Sequence, residues 1–212
     1  MPSSQLSAMV TERQAVKSLQ QLLHDRYSWV TAHRKPSASK PLRQQLEAKL
    51  GYIPILQPEI DLAFGDKGGS AYAVEVKLVP VTELSFSLPF YEGIGQALAL
   101  HRYGFDAVAL WTVFVGSAIG ETASQYGAQA WYFLRNELDL PLDFTFFYLD
   151  PTRTPWSFVP QQYLNARASR PLAPLNNRRF PIHFRHPNPL RLTRSASEIR
   201  RVLVPWLIHS VG

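Results

Sequence analysis

Pro58-Glu59-Ile60-Asp61 opens a stretch that closes on Glu75-Val76-Lys77, with thirteen residues between Asp61 and Glu75. Two apolar, strand-like runs flank the polar turn Gly65-Asp66-Lys67-Gly68-Gly69-Ser70. That pattern predicts a β-hairpin with a longer loop. Side chains alternate faces along a strand. Ile60, Leu62 and Phe64 are then expected on one face, with Asp61 and Ala63 on the other. Across the turn, Tyr72, Val74 and Val76 share a face, and Ala73, Glu75 and Lys77 take the opposite one. Folding the hairpin about Gly68 sets Asp61 level with Glu75. Two carboxylates and an ammonium then converge on a face otherwise made of small residues. Oxygen ligands of this kind suit hard divalent cations. A lysine beside the ion can orient or deprotonate a water and stabilise negative charge. A solvated cross-strand pair is the plainer reading of Glu75 and Lys77. However, Ala73-Val74-Glu75-Val76-Lys77-Leu78-Val79 is too apolar for an edge strand, and buried charge without a partner is costly. The three charges are therefore expected to share a purpose.

The surrounding sequence places this hairpin within an α/β unit. Thr11 to Leu23 has amphipathic helical spacing, with Thr11 able to cap it. Residues 33 to 41 read as a polar connection, and Leu42 to Leu50 as a short helix stopped by Gly51. After the hairpin strands, 60 to 65 and 71 to 79, a loop with Pro80 and Pro89 covers 80 to 90. A helix follows from Tyr91 to Tyr103, ending at Gly104. Residues 106 to 115 form an apolar strand, 119 to 138 a helix and 143 to 149 a strand. The order is α-α-β-β-α-β-α-β, a mixed sheet with helices on its faces.

Composition narrows the classes. The chain has 212 residues, 46% of them hydrophobic, which is enough for a substantial core. No run of about 18 apolar residues is present, so no membrane span is expected. The N-terminus lacks the layout of a signal peptide. With no cysteine, disulfides, thiolate zinc sites and iron–sulfur clusters are excluded. No phosphate-binding glycine loop or Gly-X-Ser-X-Gly elbow occurs. An intracellular, cytoplasmic protein is the expectation.

Asp61, Glu75 and Lys77, with Val76 as spacer, resemble the motif of the PD-(D/E)XK nuclease superfamily, whose restriction-endonuclease-like fold also holds archaeal Holliday junction resolvases. Gly93-Ile94-Gly95-Gln96-Ala97-Leu98-Ala99 matches the glutamine-bearing helix that follows the motif strand in many members. Gly104 to Trp111 looks like the next core strand and its lead-in. The resemblance covers roughly residues 10 to 115. It implies a nuclease-like core over 1–150, with a basic Pro/Arg-rich extension over 151–212. It also implies a Mg²⁺- or Mn²⁺-dependent deoxyribonuclease. Asp61, Glu75 and the carbonyl of Val76 would hold the ion, Lys77 would orient water or neutralise charge, and Gln96 would position Lys77 or the phosphate. Members usually add a glutamate from the first helix. Glu12, Glu47 and Glu59 are all open candidates, with Glu12 slightly favoured because its helix is expected to pack on the sheet. The Gln-X-X-X-Tyr pattern of RecB-like exonucleases is absent, because Leu100 stands where the tyrosine would. No large specificity insertion is evident. A structure-selective endonuclease acting on duplex or branched DNA fits these departures, with a homodimer implied by comparison with junction resolvases.

Charge is uneven along the chain. Residues 1–150 hold 12 Lys plus Arg against 15 Asp plus Glu. Residues 151–212 hold ten arginines and one acid, Glu198, so the net charges are −3 and +9. Such asymmetry predicts a polyanionic partner. Arg178-Arg179-Phe180-Pro181-Ile182-His183-Phe184-Arg185-His186 interleaves cations with aromatics. It reads equally as a nucleic-acid-contacting arm, with Arg178, Arg179 and Arg185 on phosphates and Phe180 or Phe184 stacking on bases, or as a strand with one solvated basic face. No acidic neighbour completes a zinc set with His183 and His186, which read as surface or backbone-contacting groups. Ser195 to Ile208 predicts a helix with the stripe Ile199, Val202, Leu203 and Trp206 packed on a core or a partner. A catalytically inactive nucleic-acid-binding or assembly protein is the alternative function. A protein-interaction subunit of a mobile-element or defence complex, docking through the C-terminal segment, is a third.

Overall fold

The computed structural model describes residues 10–55, 57–80, 87–115, 121–149, 158–161 and 184–209. Helix α1 (Glu12–His24) starts at Thr11. The Thr11 hydroxyl accepts the Gln14 N–H at 3.3 Å, while the Gln14 side chain accepts the Thr11 N–H at 2.9 Å. This reciprocal cap satisfies two donors that the first helical turn leaves without partners. Strand β1 (Trp29–Arg34) comes next, then a 3₁₀ turn and helix α2 (Lys40–Leu50). The hairpin is β2 (Ile60–Gly65) and β3 (Ala71–Pro80). Helix α3 (Ser87–Leu100) leads to β4 (Ala107–Val115), and α4 (Glu121–Tyr132) leads to β5 (Asp143–Leu149). Strand β6 (Phe158–Gln161) and helix α5 (Arg194–His209) complete the described elements.

The six strands lie in chain order β1-β2-β3-β4-β5-β6. Pairing is antiparallel for β1/β2, β2/β3 and β5/β6, and parallel for β3/β4 and β4/β5. The parallel pairs are joined through α3 and α4, as parallel strands require a crossover. Every residue of β2 and β4 is buried, as expected of strands covered on both faces. One apolar layer joins Leu42 and Leu46 of α2, Ile94 and Ala97 of α3, and Ile199 and Leu203 of α5 to one sheet face. The other joins Val16, Leu19 and Leu23 of α1 to Leu62, Val74, Val76 and Trp111. The molecule is therefore a mixed α/β sheet with helices on both sides.

Three local expectations change. Residues 33 to 41 are not simply a connection: β1 precedes them as an added strand and extends into them. The preceding Trp29-Val30-Thr31-Ala32 is rich in β-branched and aromatic residues, and pairing with β2 buries Val30 and Thr31. The segment 80 to 90 is shorter as a loop, since β3 runs to Pro80 and α3 starts at Ser87. Pro89 falls in the first helical turn, where its missing N–H costs nothing. Ile60 also departs from the expected face. It packs in the α2/α3/α5 layer rather than with Leu62 and Phe64.

The C-terminal segment is tied into the sheet. Asn188 is buried and donates through Nδ2 to the carbonyls of His101 and Phe105, at 2.8 and 2.9 Å. Arg200 pairs with Asp106 at 2.7 Å and donates to the Gly104 carbonyl. Gly104 has φ 73° and backs onto the Ala196 carbonyl so closely that a side chain would collide with it. Among the described residues, no helix is long and apolar enough to cross a membrane.

Candidate functional site

The hairpin register pairs Leu62 with Val74 and Ala63 with Ala73, which sets Asp61 opposite Glu75. At that point a side chain replaces the backbone ladder: the Val76 N–H donates to Asp61 Oδ2 at 2.9 Å. Glu75 and Lys77 project to the same side, with Lys77 Nζ 2.8 Å from Glu75 Oε1. Asp61 is 7% and Glu75 3% exposed. Glu12, at the start of α1, approaches from the adjoining layer near Lys77 and Asp61 and accepts the backbone N–H of Leu78. Asp61, Glu75, Lys77, Glu12 and Gln96 line one cleft of about 750 Å³.

Of the three candidate accessory glutamates, the structure brings Glu12 closest to this group. Glu59 lies at the cleft edge, ion-paired with Lys35 at 3.0 Å. Glu47 is exposed on α2 and does not line the cleft. Val76 turns its side chain into the α1 layer, between the two motif charges. Gln96 is exposed on α3 where that helix borders the cleft. The helix can sit there because of Gly93. A Cβ at that position would stand 2.9 Å from Lys77 Cγ and 2.7 Å from Leu110 Cδ1.

The electrostatics follow from crowding. Burial raises the Glu75 carboxyl, the charge of Asp61 raises it further, and Lys77 only partly offsets both, leaving it pushed up to about 8. Burial likewise raises Asp61 and Glu12, against the Val76 N–H and Lys77 respectively. Burial alone would lower Lys77, but its bond to Glu75 and the charges of Glu75, Glu12 and Asp61 raise it. With all four groups ionised, three carboxylates face one ammonium, an excess of two negative charges. A hard divalent cation fits that excess and that oxygen donor set. Among the described residues, no three His, Cys, Asp or Glu side chains group closely enough to hold an ion by themselves. An ion here would use Asp61 and Glu75 with backbone or solvent oxygens.

Sequence reading missed the basic wall of this cleft. Arg13, His33, Arg34 and Lys35 line it, His33 and Arg34 from the end of β1 and Lys35 just after it. His33 falls opposite Asp61 in the register and has φ 50°, a conformation uncommon outside glycine. Its Nε2 lies 3.3 Å from the Arg13 carbonyl, to which it donates. The run Val30-Thr31-Ala32 was the signal for β1, and the cleft residues come with it. Trp206 was read as part of a packing stripe. It does pack beside the core, but it also forms a wall of the cleft. Thr112 pairs in register with Lys77 and is buried, and its hydroxyl has no hydrogen-bond partner among the described residues.

The basic tail differs from the expected arm where it is described. Phe184 is not available to a base, because it stacks on Tyr72 at 4.4 Å with an interplanar angle of 8°. His186 does have an acidic partner: its Nδ1 lies 2.6 Å from Asp143 Oδ1, and Arg135 contacts its Nε2. Asp143 also accepts the backbone N–H of Arg185, whose residue is exposed. Arg178, Arg179, Phe180 and His183 lie outside the described residues. Arg191 and Arg200 pair with Asp106, and Arg201 with Glu198. Part of the tail's positive charge is thus spent within the fold.

No family model matches the chain, and no curated protein matches it. Among solved structures, SfsA from Pyrococcus furiosus in complex with Ca²⁺ is similar at 14% identity and a TM-score of 0.34. The match covers 69% of this chain, which spans 58% of that one. A similarity at this level carries neither fold nor function to the chain.

Proposed function

We propose that this chain is a metal-dependent DNA endonuclease of the PD-(D/E)XK type with a restriction-endonuclease-like core. The observation that carries the reading is the convergence of Asp61, Glu75, Lys77 and Glu12 from two strands and a helix into one cleft, with more buried carboxylate than cation. Buried like charges are expensive to assemble, and their clustering in a cleft is typical of functional sites. Asp61 and Glu75, with the carbonyl of Val76, would hold Mg²⁺ or Mn²⁺. Such an ion supplies Lewis-acid chemistry and charge neutralisation at a phosphodiester. Lys77, held at Glu75 by the 2.8 Å contact, would orient the attacking water and stabilise charge developing on the phosphate. Glu12 would accept a proton from that water or fix its position, with burial raising its carboxyl above the ordinary value. Gln96 would meet the phosphate from the α3 side. Arg13 and Arg34 would hold the flanking backbone.

The test is a cleavage panel of linear, nicked, flapped, four-way-junction and single-stranded DNA with Mg²⁺ and Mn²⁺. Metal-dependent strand scission that is lost in Asp61→Asn is expected. Absence of scission on every substrate, with binding retained, would favour the alternative of an inactive nucleic-acid-binding protein that keeps the fold.

A further inference from the structure

The cleft holding Asp61, Glu75 and Lys77 meets a second depression at Trp206. This second depression, about 540 Å³, lies between α2 and α5, and the same indole lines both. Its ionisable lining is entirely basic: Lys49 from α2, with Arg201 and His209 from α5. Lys49 and Arg201 are exposed. The ion pair of Arg201 with Glu198 joins side chains 68% and 26% exposed, and a surface pair of that kind contributes little and exchanges readily. Arg13, Arg34 and Lys35 also line the first cleft, Lys35 in an ion pair with Glu59. Cations therefore line both depressions, and Trp206 is common to the two.

A double row of cations suits any polyanion with regularly spaced charge. The indole narrows the choice. In a duplex the flat faces of the bases are stacked inside, and the backbone offers no apolar plane. An unpaired base exposes such a face, and aromatic side chains set in basic grooves are the usual platform for it. Trp206 is half-buried and packs against the core cluster while lining both depressions. We infer that Trp206 is a stacking platform for an unpaired nucleobase and that the nucleic acid is single-stranded where it crosses from one depression to the other. Its phosphates run past Arg13 and Arg34 on one side and Lys49 and Arg201 on the other. This assigns a substrate class to the proposed nuclease site and rests on that reading for the chemistry, though not for the binding.

The test is fluorescence anisotropy of a labelled single strand of roughly 16 nucleotides and of its duplex, with the full chain and with divalent ions chelated so that nothing is cut. Trp206→Ala should weaken single-strand binding by about 10- to 100-fold and leave duplex binding nearly unchanged. Trp206→Phe should restore most of the loss, which a general packing defect would not allow. Lys49→Gln with Arg201→Gln, both at exposed positions, should flatten the single-strand salt dependence by about 1.4 on a log–log plot, or roughly 0.7 per contact. Equal losses on both ligands in Trp206→Ala, or an unchanged slope in the double variant, would overturn the inference. Wild-type protein that binds single strands through Trp206 but cuts nothing with Mg²⁺ or Mn²⁺ would sink the nuclease proposal and leave this one standing. Wild-type protein that cuts duplex with no dependence on Trp206 would do the reverse.

Discussion

Asp61 and Val76 are joined across the hairpin by a buried hydrogen bond from the Val76 N–H to the Asp61 carboxylate, 2.9 Å long. The carboxylate thus closes the β2/β3 pair at this point. Asp61→Asn keeps an oxygen acceptor for Val76 but loses the charge. It should fold normally while losing Mn²⁺ binding and cleavage, as read by calorimetry and a nicking assay. Asp61→Ala also orphans the Val76 N–H and should cost a further 1–3 kcal/mol, roughly, in denaturant unfolding. Unchanged Mn²⁺ affinity in Asp61→Asn would remove the metal site from the hairpin.

In the proposed metal site, Lys77 and Glu75 would act oppositely on cation affinity. Lys77→Ala removes an ammonium that cannot ligate metal and that repels it. Turnover should fall by about 10²- to 10⁴-fold, while Mn²⁺ affinity holds or rises. Activity within about threefold of wild type would make Lys77 a packing residue.

Glu75 predicts a pH dependence whose sign can be stated. Its carboxyl is raised by burial and by Asp61 to about 8, from 4.5. Between those values the folded state binds the proton and the unfolded state does not, so metal-free stability should fall as pH rises through this window. An ion must displace that proton, so Mn²⁺ affinity should rise over the same range, with proton release on binding. Thermal melts in EDTA from pH 5 to pH 8 should show the decline, and Glu75→Gln should flatten it. A melt that instead rises steadily across the window would contradict the assignment.

Gly93 faces the stem of Lys77. In most helices Gly→Ala gains about 1 kcal/mol. Here the added methyl meets Lys77 Cγ and Leu110 Cδ1 below 3 Å, and overpacking of that kind costs about 1–3 kcal/mol. Gly93→Ala should lower the melting temperature and reduce kcat by displacing Lys77. A melting temperature raised by the substitution would show that α3 yields without cost.

Thr112 offers the opposite case. Its hydroxyl is buried beside Lys77 in the register without a partner among the described residues. Thr112→Val removes that unmet group at nearly constant volume and should stabilise the fold by about 1 kcal/mol. Marked destabilisation would reveal a bound water or ligand on that hydroxyl.

Much of the candidate site was legible because it is local. Asp61, Glu75 and Lys77 lie within one hairpin, and a strand's period of two with a short polar turn is enough to bring them to one face. The amphipathic spacing after Thr11 and its reciprocal cap are equally local, as is the stripe of Ile199, Val202 and Leu203 in α5. Tertiary packing decided the rest. Glu12 is distinguished from Glu47 only by which helix crosses the sheet beside Lys77. His33, Arg34 and Lys35 reach the cleft because β1 pairs with β2, a long-range pairing whose short strand has a weak sequence signal. His186 finds Asp143 and Phe184 finds Tyr72 because the C-terminal segment folds back on the sheet, which local spacing does not encode. Trp206 becomes a cleft wall for the same reason: an apolar stripe states that a helix will be buried, and only its partner surface decides what its edge residues face.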